Sequence, residues 1–239
     1  LNNLNITNDN GNFGVKLPPN RGRSYFAVEA SAVKNVATIE FNTPSTLSTP
    51  NHNAQLVIIT YPAFAAAAQS WAQYRQGQGI STEVVDVRDI YDEYEYGQSS
   101  SASIKNFLQY AANNWQTPPQ YVLLLGDASY DCKNYEGLGY TNLVPTKIVN
   151  TVYTETGSDD ALADFDGDGL TELSIGRIPA KTTQDVTNAL AKVQGFEQPS
   201  MQDLNRGTIF AYDLPNGYDF QAMSVILRDS LPVGTPSVM

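Results

Sequence analysis

The chain is 239 residues long and 41% hydrophobic, enough to bury a full core as one large domain or as one domain with an appendage. Its 14 Lys and Arg stand against 25 Asp and Glu, a formal net charge of -11, which disfavours nucleic acid as a partner and suits a cation. No apolar run is long enough for a membrane span, no secretory signal opens the sequence, and Leu1 stands where an initiator Met would, so the chain reads as a processed or excised piece.

Residues 1–53, rich in Asn, Thr, Ser and Pro, read as a β-rich N-terminal extension and linker, with two short strands expected in the alternating passage "SYFAVEASAVKNVATIEF", Ser24 to Phe41. Residues 54–239 read as an α/β subdomain. Its apolar bursts "LVIIT" (Leu56 to Thr60), "STEVVDV" (Ser81 to Val87), "YVLLL" (Tyr121 to Leu125), "ELSIG" (Glu172 to Gly176) and "TIFAY" (Thr208 to Tyr212) have the continuous hydrophobicity of strands buried on both faces.

Helical periods alternate with them. Phe64, Ala68, Trp71 and Arg75 follow Pro62 at helical spacing, with Gly77 or Gly79 as a stop. Ile104, Phe107, Leu108, Ala111 and Trp115 form a second stripe, begun in a serine cluster and halted before Pro118. Thr182 and Asp185 make a capping box for a third helix through Val186, Leu190 and Val193, and a fourth is expected from Phe220 to Leu231. Such alternation implies right-handed crossovers: an α/β fold, a mainly parallel sheet with helices on both faces in a Rossmann-like arrangement. Sites in such sheets gather at the carboxyl ends of the strands.

The loops at those ends are acidic and rich in tyrosine. "RDIYDEYEYG", Arg88 to Gly97, reads as one of them, its tyrosines more suited to packing than to a peptide-binding surface. Neither G-x-G-x-x-G after a strand nor G-x-x-x-x-G-K-[ST] is present, so the usual phosphate cradles are missing. Asp127, after "YVLLLG", suits a second cation or a helix cap equally well. In "DALADFDGDGLTELSIGRIP", Asp164, Asp166 and Asp168 occupy positions 1, 3 and 5 of a D-x-D-x-D-G calcium loop, Gly169 supplies the turn, Leu170 a carbonyl, and Glu172 stands at position 9. Position 12 is Ile175, so the bidentate glutamate of a complete EF-hand is missing, and Asp159, Asp160 or water is left to complete the set. Calcium is the expected cofactor, because three carboxylates packed this closely repel one another unless a cation or protons intervene.

"QLVIITYPAF", "AQYRQGQGISTEVVDVRDIYDEYEYG", "IKNFLQYAANNW", "PPQYVLLLGDASYD", "VPT", "SDDALADFDGDGLTELSIGRIPAKT" and "NALAKVQGFE" follow the order seen in gingipain-like cysteine peptidases. Over residues 55–197 the chain resembles that family, peptidase family C25, including sortase-like members of the type IX secretion system. The resemblance implies a caspase-like fold, a secreted or cell-surface bacterial protein, peptide or protein substrates, and peptide-bond cleavage by a Cys-His dyad. The family's Gly-His-Gly loop and later cysteine lie downstream of the matched segment. His52, the single histidine, is expected to be an exposed linker residue, and Cys132, the single cysteine, a free, partly buried thiol. The expected catalytic set in this chain is therefore none, with a downstream catalytic subdomain of the same protein as partner. Asp219 resembles, by chain order, the acidic specificity-pocket residue of gingipains selective for basic side chains.

The sequence thus reads as the N-terminal, non-catalytic portion of a secreted gingipain-like cysteine endopeptidase. Two alternatives stand beside it: a calcium-stabilised extracellular structural or assembly module without activity, and a flavodoxin-like or receiver-like binding domain resting on strand-helix order alone.

Overall fold

The computed structural model describes residues 5–17, 22, 28, 30–33, 41–198, 208–209, 219–231, 233 and 237–238. The chain divides into two units, Leu1–Thr43 and Pro44–Met239.

In the first unit, β1 (Ile6–Asp9) and β2 (Asn12–Val15) form an antiparallel hairpin. Its turn is Asn10-Gly11, with φ of 49° and 86°, the double positive φ that a tight hairpin requires, and the Gly11 amide donates to Asn8 Oδ1 at 3.0 Å. The sequence carried this signal in "DNGN", upstream of the passage where strands were expected. Within Ser24 to Phe41 the described Ala30–Ala32 is a single 3-10 turn, and most of the passage lies outside the described residues.

The second unit runs β3 (Leu56–Thr60), α1 (Ala65–Gly77), β4 (Thr82–Asp86), α2 (Val87–Glu95), α3 (Ser101–Asn114), β5 (Tyr121–Leu125), β6 (Lys147–Asn150), β7 (Glu155–Ser158), α4 (Asp160–Ala163), β8 (Ser174–Ile178), α5 (Thr183–Phe196), β9 (Thr208–Ile209), α6 (Phe220–Asp229) and β10 (Ser237–Val238). The central sheet is parallel, with strand order β4-β3-β5-β8. Every residue of β3 is buried, because alternate side chains enter opposite cores. Val57 and Ile59, with Val122 and Leu124 of β5, pack on the side of Ile90, Ile104, Phe107 and Leu108 from α2 and α3. Leu56 and Ile58, with Leu125, pack on the side of Ala68 and Trp71 of α1 and Val186 and Leu190 of α5. Two covered faces explain why these strands read as unbroken apolar runs.

The capping box at Thr182 and Asp185 forms as the sequence implies. Three elements differ from expectation. "RDIYDEYEYG" is mostly helix: Val87, Ile90, Tyr91 and Tyr94 have helical spacing, Asp86 caps the start by accepting from the Arg88 amide at 2.8 Å, and Tyr96, at φ 54°, ends it. Of its tyrosines, Tyr91 is buried and Tyr94 packs edge-on to Phe107, whereas Tyr96 is exposed. The strand expected at Glu172 to Gly176 begins and ends two residues later, since Glu172 is drawn into the preceding loop. The described part of "TIFAY", Thr208–Ile209, pairs with β10 apart from the central sheet, and its remainder lies outside the described residues.

The chain leaves β3 toward β4 on one side and returns to β5 on the other, so the strand order reverses between β3 and β5. A crevice at the carboxyl ends of these two strands is where open α/β sheets hold their ligands.

Candidate metal centre and the carboxyl edge of the sheet

The acidic loop leaves the single turn of α4, for which Asp159 is the N-cap and Asp164 the C-cap. Gly167 and Gly169 take φ of 82° and 90°, so the backbone doubles back where a side chain would be strained. The turn brings together carboxylate oxygens of Asp164, Asp166, Asp168 and Glu172 within 4.8 Å of one another, a set that could hold a metal ion. Backbone amides organise it. Gly167 and Gly169 donate to the two oxygens of Asp164 at 2.6 and 3.1 Å, Asp168 to Asp166 at 3.1 Å, Leu170 to Asp168 at 2.8 Å, and Phe165 to Glu172 at 2.5 Å. Leu170 therefore enters the loop through its amide, with its side chain exposed. Lys105 of α3 donates its ammonium to the Asp164 carbonyl, a contact the sequence did not reveal. Asp159 does not join the cluster: its carboxylate is held by Arg177 at 2.7 Å and accepts the Thr146 hydroxyl at 2.7 Å. Burial alone would push that carboxyl up, but Arg177 and Thr146 hold it below the ordinary carboxylate value.

At the end of β5, the Asp127 carboxylate accepts from Thr141 at 3.0 Å and lies 3.5 Å from the Lys181 ammonium. It therefore ties two loops together, and it caps none of the described helices.

The model of peptidase family C25 matches residues 49–235, most of the chain. The chain belongs to peptidase family C25. Among solved structures, this C25 chain is similar to dimeric latent PorU from Porphyromonas gingivalis, with a TM-score of 0.52 and 21% identity, over 62% of this chain and 16% of that one. It is also similar to a structure described as a protease, with a TM-score of 0.50 and 22% identity, over 67% of this chain and 32% of that one. It thus spans about a sixth to a third of the length of these neighbours. At such identities they support the caspase-like α/β fold. No curated protein matches the sequence.

The two residue types of a cysteine-peptidase dyad are far apart in this C25 chain. His52 precedes β3, and its carbonyl accepts from Thr117, just ahead of β5, so it stands at the amino ends of these strands. Cys132 lies in the loop beyond their carboxyl ends. Five residues of parallel strand, roughly 16 Å at about 3.3 Å each, lie between those edges. His52 is no exposed linker residue. It contacts Glu83 at 2.8 Å through Nδ1 and the Thr46 carbonyl at 2.9 Å through Nε2, and stacks on Trp115 at 4.5 Å. Cys132 is exposed and not partly buried, because its loop turns it outward while Asp131 points in. Asp219 is the N-cap of α6, where one carboxylate oxygen accepts the Ala222 amide at 2.9 Å, and the loop before it lies outside the described residues.

Proposed function

We propose that this chain is the N-terminal, non-catalytic portion of the peptidase unit of a secreted or cell-surface gingipain-like cysteine endopeptidase. The observation that carries this reading is the C25 match over residues 49–235 in a chain whose lone cysteine and lone histidine stand at opposite ends of one sheet. The dyad belongs to a downstream subdomain, the partner of this chain. There a thiolate attacks the substrate carbonyl, and histidine acts first as base and then as acid. Export through a type IX system rests on the family resemblance alone. The division into an extension, 1–53, and an α/β subdomain, 54–239, rests on composition.

The acidic loop holds calcium through Asp164, Asp166, Asp168 and Glu172, with the Leu170 carbonyl as a further oxygen. An all-oxygen, carboxylate-rich donor set suits a hard cation, and the lack of a position-12 glutamate fits a weak site filled where calcium is plentiful. Asp219 supplies a negative charge toward basic substrate side chains, and Asp219→Asn in the whole enzyme is expected to weaken selectivity for Arg or Lys before the scissile bond.

The test is to incubate the 239-residue chain and its Cys132→Ala variant with a mixed peptide library, and to sequence the gene beyond Met239. No turnover from either chain, with a Gly-His-Gly loop and a later cysteine downstream, is expected. Turnover abolished by Cys132→Ala would overturn the reading. A downstream sequence without the dyad would favour the alternative, an extracellular module without enzymatic activity.

A further inference from the structure

The loop joining β5 to β6 leaves the central sheet at Gly126 and passes back beside that point at Val144. Between these points its own side chains shape it. Asp131, buried, accepts the Tyr135 and Glu136 amides at 2.7 and 2.9 Å, Asn142 accepts the Ser129 amide at 3.2 Å, and Asn134 accepts the Gly139 amide at 2.9 Å. It presents Tyr130, Tyr135, Leu138 and Tyr140 to solvent. Its ends meet at a neck, where the Asp127 carbonyl accepts the Leu143 and Val144 amides at 2.9 and 3.1 Å. A Cβ on Gly126 would lie 2.8 Å from Val144 Cγ2, so the two sides of the neck touch.

Arg177 of β8 reaches into that neck. Its Nη1 donates to the Gly126 carbonyl at 2.7 Å and the Val144 carbonyl at 2.6 Å, and its Nη2 to the Pro145 carbonyl at 3.4 Å. Its Nε and Nη2 grip both oxygens of Asp159 at 2.8 and 2.7 Å. The side chain is only 11% exposed. One planar guanidinium thus joins both sides of the neck to the cap of α4, a geometry that an ammonium cannot reproduce.

We infer that Arg177 is a positioning residue for the Asp127–Val144 loop, locking its neck so that the aromatic surface is displayed in one arrangement at the carboxyl edge of the sheet. The role is independent of both the peptidase and the calcium readings. It is a local role, so it makes a prediction that a general contribution to stability does not: losing the guanidinium opens the neck selectively.

Hydrogen exchange on the 239-residue chain tests it. In Arg177→Lys, which keeps the charge, the Leu143 and Val144 amides are expected to lose clearly more protection than the amides of β3 and β5, which fall only by whatever global stability is lost. Asp159→Asn, which keeps the shape and weakens the grip, is expected to give a smaller loss at the same amides, and serves where Arg177→Lys does not fold. A trifluoromethyl label on the exposed Cys132 is expected to shift or split its 19F resonance in both variants. Neck protection that is unchanged, or that falls only in step with β3 and β5, would overturn the assignment.

Discussion

Asp159 and Asp164 bracket the same single turn of helix, yet their carboxylates are stabilised in opposite ways. Asp159 has its cation built in: the Arg177 guanidinium grips both its oxygens in a largely buried pair. Asp164 sits with Asp166, Asp168 and Glu172, and among the described residues no side-chain cation pairs with these four; they are held by backbone amides, and the nearby Lys105 ammonium is directed at a carbonyl. The first region is complete within the chain, while the second gathers like charge that a bound cation would offset. Each can be broken separately, and the sign of each response distinguishes them.

The largest effect is expected at the internal pair. Asp159→Ala leaves the Arg177 guanidinium buried against three carbonyls with no carboxylate, and removing one member of a buried pair costs roughly 3–5 kcal/mol. Urea unfolding should show this loss equally with calcium and with chelator. A loss that appeared only in calcium would mean that Asp159 serves the cation loop after all.

Next comes the cation itself. A ligand that binds only the folded state stabilises it by about 2.7 kcal/mol at a hundredfold excess over Kd. Thermal unfolding with calcium and with chelator should differ accordingly in the wild type, and the difference should vanish in Asp166→Ala. Equal midpoints in the wild type would reduce "DFDGDG" to an acidic turn closed by its own amides.

How much of this contrast was legible in the sequence follows from how local each signal is. The acidic loop was readable because Asp164, Asp166, Asp168 and Glu172 lie within nine residues and the glycines mark the turn. The parallel sheet was readable because burial on both faces leaves continuous apolar runs such as Leu56 to Thr60. Arg177 was not singled out, since its partners Gly126, Val144, Pro145 and Asp159 are brought to it by strand pairing. The clue available was a guanidinium inside "SIGRIP", a charge within a strand that needs compensation wherever it points. Helix α2 was hidden by its charge: Asp89, Asp92, Glu93 and Glu95 disguised the apolar spacing of Val87, Ile90, Tyr91 and Tyr94. His52 read as linker because Glu83, Thr46 and Trp115 come together around it only in the fold.

Acid sharpens the comparison further. The Asp159 carboxyl is held below its ordinary value, so its contribution is full above the unfolded carboxylate range and is lost as pH falls through the lower folded value. Lowering pH in chelator should therefore destabilise the wild type, and Asp159→Asn, which removes this titration, should flatten that part of the acid limb. An unaltered limb would assign the acid sensitivity to other carboxylates, among them Glu93, whose value is lowered in spite of burial by the Ser45 and Ser48 hydroxyls and the Leu47 and Ser48 amides.

The smallest expected effect carries the most specific sign. Asp168 is exposed, and its oxygen accepts only the neighbouring Leu170 amide, so Asp168→Asn removes one charge from the cluster while leaving an oxygen able to keep that hydrogen bond. In chelator the substitution relieves repulsion among the remaining carboxylates and should raise the melting midpoint slightly. In calcium it weakens an oxygen ligand and should lower the midpoint. The same variant therefore stabilises the apo chain and destabilises the loaded one. No comparable reversal is expected at Asp159, whose cation is covalently part of the protein and cannot be chelated. A midpoint that moves in the same direction under both conditions would remove the distinction between the two regions and leave Asp168 a surface charge of the turn.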